Sequence, residues 1–179
     1  MGYLLKTLGN LPVQDNVNVY IFAIGGSWDG GLIGVINKNY LKIADAIGED
    51  AIIVRGFNEE FFGEEVAQKY FGFSTRDDRI WNLLPSILVT DTHPDQLNDN
   101  SLKILFPLEQ IETNFASIDQ FLSQLVAFAK NGDEKFLQSI KETNSFLEVA
   151  NEVVSLQPNF FGFGINLNNL INRFIGRQY

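Results

Sequence analysis

Two apolar runs, each followed by a segment of helical spacing, most constrain what this chain can fold into. The first, VNVYIFAI (Val17 to Ile24), is β-branched and aromatic and ends at Gly25. Such a run reads as a buried strand. After a glycine-rich loop, NKNYLKIADAIGED sets Tyr40, Leu41, Ala44 and Ile47 at near-helical spacing, with Gly48 placed to close the helix. The second run, AIIVRGF (Ala51 to Phe57), is a short apolar strand. NEEFFGEEVAQKYFG then reads as a helix with acidic residues in its first turn and Gly72 after its last. Strand, helix, strand, helix implies parallel pairing and an α/β layer.

FSTRDDRIWN (Phe73 to Asn82) is a polar connector, and LLPSILVTD is a strand introduced by Pro85, a position where proline is tolerated. The turn-rich THPDQLNDNS leads to LKILFPL (Leu102 to Leu108), a fourth strand closed by a proline. Two strands joined by a short loop without a helix are expected to be antiparallel.

The remainder reads as helical. SIDQ fits a capping box, with Ser117 as N-cap and Gln120 at the third helical position. Ile118, Phe121, Leu122, Leu125, Val126 and Ala129 make one apolar face. Asn131-Gly132 ends that helix, and Asp133 caps a further one that carries Phe136, Leu137 and Ile140. A tail helix is expected around Leu167, Leu170, Ile171 and Phe174. The expected organisation is an α/β domain over residues 1–131 and a helical extension over 132–179 packed on it, with a soft boundary near 112–132.

The chain is long enough, at 179 residues, and apolar enough, at 45% hydrophobic, to build a core rather than stay disordered. Its 22 acidic against 13 basic residues give a net charge of −9. So acidic a surface repels nucleic acid and anionic lipid, and no basic patch overrides it: Arg76 and Arg79 bracket Asp77 and Asp78. With no cysteine, disulfides, thiolate catalysis and Cys-ligated metals are excluded. MGYLLKTLGN lacks the long apolar core of a secretory signal, and Lys6 stands where a myristoylation motif wants Ser or Thr. No run approaches the roughly 18 apolar residues of a membrane span. The expectation is a cytoplasmic protein that meets neither nucleic acid nor the membrane interior.

The order strand, glycine loop, helix, strand, helix, Pro-led strand, strand, helix resembles the thioredoxin fold over roughly residues 15–130. Two features carry the resemblance: the loop after VYIFAIGG, where Trp28 precedes the position of the redox motif, and LLPSILVTD, which looks like that fold's cis-proline segment. The resemblance implies a sheet of four to five strands flanked by helices and a cis Leu84–Pro85 peptide facing the loop. It departs at the chemistry. Asp29, Gly30, Gly31 and Leu32 stand where the family has its cysteines, so this would be a member without thiol–disulfide exchange.

The loop GGSWDGG admits three readings. As a phosphate cradle it has the glycine spacing of Gly25 and Gly30, but Gly31 and Leu32 replace the Lys and Ser/Thr of a Walker loop, and Asp29 repels phosphate. As a dinucleotide fingerprint it fails at Gly26, Trp28 and Gly31. As a turn it needs only glycine's freedom. One nucleophilic set can be nominated, Ser27, His93 and Asp91, because Ser27 and Asp91 follow two strands expected to be parallel; ordinary turn chemistry in His-Pro-Asp is the alternative. The pairs Glu59-Glu60 and Glu64-Glu65 read as surface charge that complements a helix dipole.

NFFGFGINLNNLINRF adds Phe160, Phe161 and Phe163 to the tail helix face, either to cover the sheet or to meet a partner. The functional expectation is a redox-silent adaptor or protein-interaction domain. Its binding residues would be Gly26, Ser27, Trp28, Asp29, Gly30, Pro85, Phe161, Phe163, Leu170 and Phe174. A protein partner or self-association is expected, with no cofactor and no metal. The alternatives are a small-molecule sensor at Gly25–Gly31 and a hydrolase using Ser27 and His93.

Overall fold

The computed structural model describes residues 1–14, 16–25, 32–49, 51–72, 74–77, 80, 83–98, 101, 103–131 and 135–136. Five strands form one mixed sheet: β1 (Gly2–Leu5), β2 (Val19–Ile24), β3 (Ala51–Gly56), β4 (Ser86–Thr90) and β5 (Lys103–Pro107). Their order across the sheet is β1-β3-β2-β4-β5. β3 runs parallel to both β1 and β2, while β4 is antiparallel to β2 and to β5. Among the described residues, the helices that accompany them are α1 (Leu32–Ile47), α2 (Glu59–Phe71), α3 (Leu108–Asn114) and α4 (Ile118–Asn131).

The α/β expectation holds. The parallel β2–β3 pair and the antiparallel β4–β5 hairpin are as the connection lengths imply. Two elements were not expected. β1 adds a fifth strand from GYLL, and α3 follows β5 directly from Pro107. α1 also begins earlier than expected, at Leu32 rather than near Asn37.

Side-chain alternation divides the strands between two cores. Val19, Ile21, Ala51, Ile53, Ile87, Val89 and Phe106 face one side, against Tyr40, Ile43 and Ile47 of α1 and against α3 and α4. Tyr20, Phe22, Ile24, Ile52, Val54, Leu88 and Leu105 face the other, against Phe62, Val66, Ala67 and Tyr70 of α2. Helices on both faces explain why β2 and β3 read as unbroken apolar runs. Each fully buried Ile or Phe there contributes about 1.5–3 kcal/mol.

Local signals set the helix ends. Asn58 caps α2 by accepting the Phe61 N–H at 2.9 Å, and Gly72 closes it at φ 77°. Gly48 closes α1 at φ 70°, a backbone state that glycine adopts without penalty. Ser117 Oγ accepts the Gln120 N–H at 3.1 Å, while Gln120 reaches back to the Ala116 N–H at 2.9 Å, one residue before the cap. Phe136, beyond α4, is buried against the rings of Phe106, Phe121 and Phe128. The rest of the expected helical extension lies outside the described residues.

Candidate functional site

Strand direction creates one distinctive end of the sheet. The carboxyl ends of β1, β2 and β3 gather there, with Leu5 level with Gly56. The start of β4 and the end of β5 join them, since Ile24 pairs with Ser86 and Ser86 with Pro107. In open α/β sheets, ligands bind outside the carboxyl ends of parallel strands. Gly25, Phe57, Asn58 and Pro85 all leave the sheet at this end. The Leu84–Pro85 peptide is cis, Pro85 is half-buried, and its carbonyl accepts the Leu108 N–H at 2.9 Å.

α2 starts close against β3 because Gly56 has no side chain: a Cβ there would lie 2.2 Å from Phe62 Cβ. Phe62 therefore turns inward and is fully buried. Phe57 and Phe61, on either side of the cap, stay in solvent at 79% and 55% exposure. All other phenylalanines among the described residues whose side chains are placed are buried.

Beside Phe61 runs a groove of about 460 Å³. Glu60, Phe61 and Glu64 of α2 form one wall, and Ser74, Thr75 and Arg76 form the other. Glu64 joins the walls at the floor. Its Oε2 accepts from Ser74 Oγ at 3.0 Å, Thr75 N at 2.9 Å and Thr75 Oγ1 at 2.6 Å, and its Oε1 accepts from Gln68 at 2.9 Å. Burial disfavours its charged form, but these bonds outweigh that, so the carboxyl is held below its ordinary value of 4.5. At the rim, Arg76 pairs with Glu60 at 3.3 Å, with both side chains more than half exposed.

The glutamate pairs thus correct the expectation of uniform surface charge. Glu59 and Glu60 do sit in the first turn of α2. Glu64 and Glu65 instead tie separate segments to the helix, Glu65 by accepting the Leu8 N–H at 2.7 Å.

His93 and Asp91 lie at the far end of β4. Thr90 pairs with Tyr20, four residues along β4 from the Ile24–Ser86 pair. β2 and β4 are antiparallel, which corrects the parallel premise behind the Ser27–His93–Asp91 nomination. The His93 ring is 1% exposed. Its Nδ1 accepts the Asp95 N–H at 3.2 Å, which leaves Nε2 to donate to the Leu11 carbonyl at 3.2 Å. Its ring stands edge-on to Tyr20 with centroids 5.7 Å apart. Burial pushes the Tyr20 and Tyr70 hydroxyls up, and Tyr70 donates to the Thr92 carbonyl at 3.0 Å.

Of the expected binding residues, the structure describes Pro85, at the carboxyl end of the parallel strands. Gly26, Ser27, Trp28, Asp29, Gly30, Phe161, Phe163, Leu170 and Phe174 lie outside the described residues. Phe57, Phe61 and Arg76 were missed. The available signal was the α2 period: Phe62, Val66 and Tyr70 share the inward face, and Phe61 falls off it.

Among the described residues, no group of three or more His, Asp or Glu side chains is placed to hold a metal ion. Among the same residues, no helix is long and apolar enough to cross a membrane. Compared with known proteins, the chain matches no family model, no curated protein and no solved structure.

Proposed function

We propose that the chain is a redox-silent, thioredoxin-like domain that binds another protein through the carboxyl end of its parallel strands. The observation that carries this reading is the pair Phe57 and Phe61, exposed at that end while Phe62 between α2 and the sheet is buried. Exposed aromatics beside a groove favour a partner surface. The strand order β1-β3-β2-β4-β5, with its antiparallel last pair, supports the thioredoxin-like part. The absence of cysteine from the sequence removes that fold's thiol chemistry. Trp28 and the tail residues Phe161, Phe163, Leu170 and Phe174, which the sequence offers as binding residues, lie outside the described residues and enter the reading from the sequence alone.

The hydrolase reading draws no support from His93, whose two ring nitrogens are both engaged in the fold. The test is native mass spectrometry of the full chain gently purified from its host, alongside Trp28→Ala, Phe174→Ala and a Phe57→Ser/Phe61→Ser double variant. A polypeptide or second copy bound to the wild type and released by these variants is the expected result. Retention of every bound partner by all three variants overturns the reading.

A further inference from the structure

The groove beside Phe61 has a chemical character that narrows the partner; this step rests on the interaction reading above. We infer that it receives a basic segment of a partner protein, with an Arg or Lys seated against Glu60 and a neighbouring apolar side chain on Phe57 and Phe61.

Charge is the first argument. Glu60 and Glu64 line the groove against Arg76, and Glu59 and Asp77 are the chain neighbours of Glu60 and Arg76, with Lys6 just past the end of β1. The amino end of α2 opposes this with a partial positive charge of roughly half a unit. The Asn58 cap already occupies one of its N–H groups, and the carboxylates of Glu59 and Glu60 stand in the same first turn and offset the remainder. Arg76 could in principle draw an anion, but it stands 3.3 Å from Glu60 and next to Asp77 in the chain. The net charge of −9 on the whole chain steers a basic partner in the same sense.

Exchange is the second argument. Glu64 has both carboxylate oxygens engaged within the fold, so it contributes field rather than a contact. Glu60 is different. Its bond to Arg76 joins two exposed side chains, 51% and 77% accessible, and such a pair is weakly held. An incoming cation can replace Arg76 there without opening a buried network.

The aromatics are the third argument. The open faces of Phe57 and Phe61 attract a cation as well as an apolar group, because a ring's π face is negative. Acidic residues around exposed rings therefore favour a sequence that alternates basic and apolar side chains over an acidic or wholly apolar one.

The experiment is a nitrogen-15 NMR titration of the full chain with two capped peptides, acetyl-Leu-Arg-Leu-Arg-Leu-amide and acetyl-Leu-Glu-Leu-Glu-Leu-amide. The basic peptide is expected to give saturable shifts at the amides of residues 57–61 and 74–76. Glu60→Gln should weaken its binding by about fivefold, the scale of one exposed charge contact. Raising salt from about 0.05 to about 0.5 M should weaken it further, because screening shortens the reach of surface charge. Phe61→Ser, at an exposed position, should remove the shifts while leaving the spectrum folded. No saturable shift, equal shifts from the acidic peptide, or indifference to Glu60→Gln overturns the inference. A natural partner lost on Phe57→Ser/Phe61→Ser whose contact segment is acidic would overturn the basic chemistry and leave the interaction reading standing. A partner retained by that double variant, Trp28→Ala and Phe174→Ala would remove both.

Discussion

Gly63 in the first half of α2 stands directly against Gly25, where the chain leaves β2: a Cβ on Gly63 would lie 2.9 Å from the Gly25 carbonyl oxygen and 3.3 Å from Ile24 Cγ2. The proposed binding end of the sheet is thus built on a backbone-to-backbone approach. Nothing flexible lies between the two, so the carbonyl cannot swing aside as a side-chain tip would.

Gly63→Ala tests that contact, with two effects opposed. Alanine favours a helix interior over glycine by about 1 kcal/mol. Forcing a methyl into a packed position costs about 1–3 kcal/mol. Because the atom met is main-chain, the second should win. The expected result is a lower Tm, with amide shifts at Ile24 and Gly25. A raised Tm would show that α2 sits further from β2 than described.

Glu64 predicts an acid-sensitive connection between α2 and residues 74–75. Its carboxyl is held below the ordinary 4.5, so the charged form is bound more tightly in the folded state. The stability this gives is fully present above the unfolded value and is lost as pH falls through the lower folded value. Glu64→Gln should cost about 1 kcal/mol at neutral pH, a modest figure because the groove is open to water. It should also flatten the dependence of Tm on pH below about 4.5. Parallel Tm–pH curves for the two proteins would count against the network.

Local chemistry was legible in the sequence, and distant partnership was not. The β2 and β3 runs, the Gly48 and Gly72 helix ends and the Ser117–Gln120 box are all written within a few residues, and each is found in place. β1 was missed because GYLL is only four residues long and gains its strand character by pairing with β3, about fifty residues away. α3 has seven residues, too few to show a helical period. The glutamates are the sharper case. Nothing near Glu65 in sequence announces that Leu8 needs an acceptor, and nothing near Glu64 announces Thr75. Phe57 and Phe61 were hidden for the opposite reason, since apolar residues beside a strand and a helix are read as core.

His93 is expected to behave as a structural residue. It bridges the start of the Pro94–Gln96 turn to Leu11 across 82 positions of sequence, with its ring against Tyr20. His93→Ala removes a buried ring and both bonds, which should cost about 2–4 kcal/mol. His93→Asn keeps an acceptor for the Asp95 N–H and should recover about 1 kcal/mol of that as a cap. Chemical denaturation of the three proteins checks the order. If His93→Ala is as stable as the wild type, the buried bridge is absent and a solvent-facing role for the ring returns.

Phe136 tests where the domain ends. Asn131-Gly132 looks like a boundary in the sequence, yet Phe136 is 1% exposed and its ring centroid lies 5.4–5.7 Å from those of Phe106, Phe121 and Phe128. Phe106 belongs to β5, while Phe121 and Phe128 belong to α4, so the ring of Phe136 closes a cluster that joins sheet to helix. Deleting a ring from such a site costs about 3–5 kcal/mol, since the surrounding rings cannot collapse fully into the space. Phe136→Ala in the full chain should therefore lower the denaturation midpoint strongly while the slope stays unchanged, the pattern of lost stability in an intact cooperative unit. An unchanged midpoint would place the end of the core at α4. A lower midpoint with a changed slope would mean instead that the substitution alters how much of the chain unfolds together.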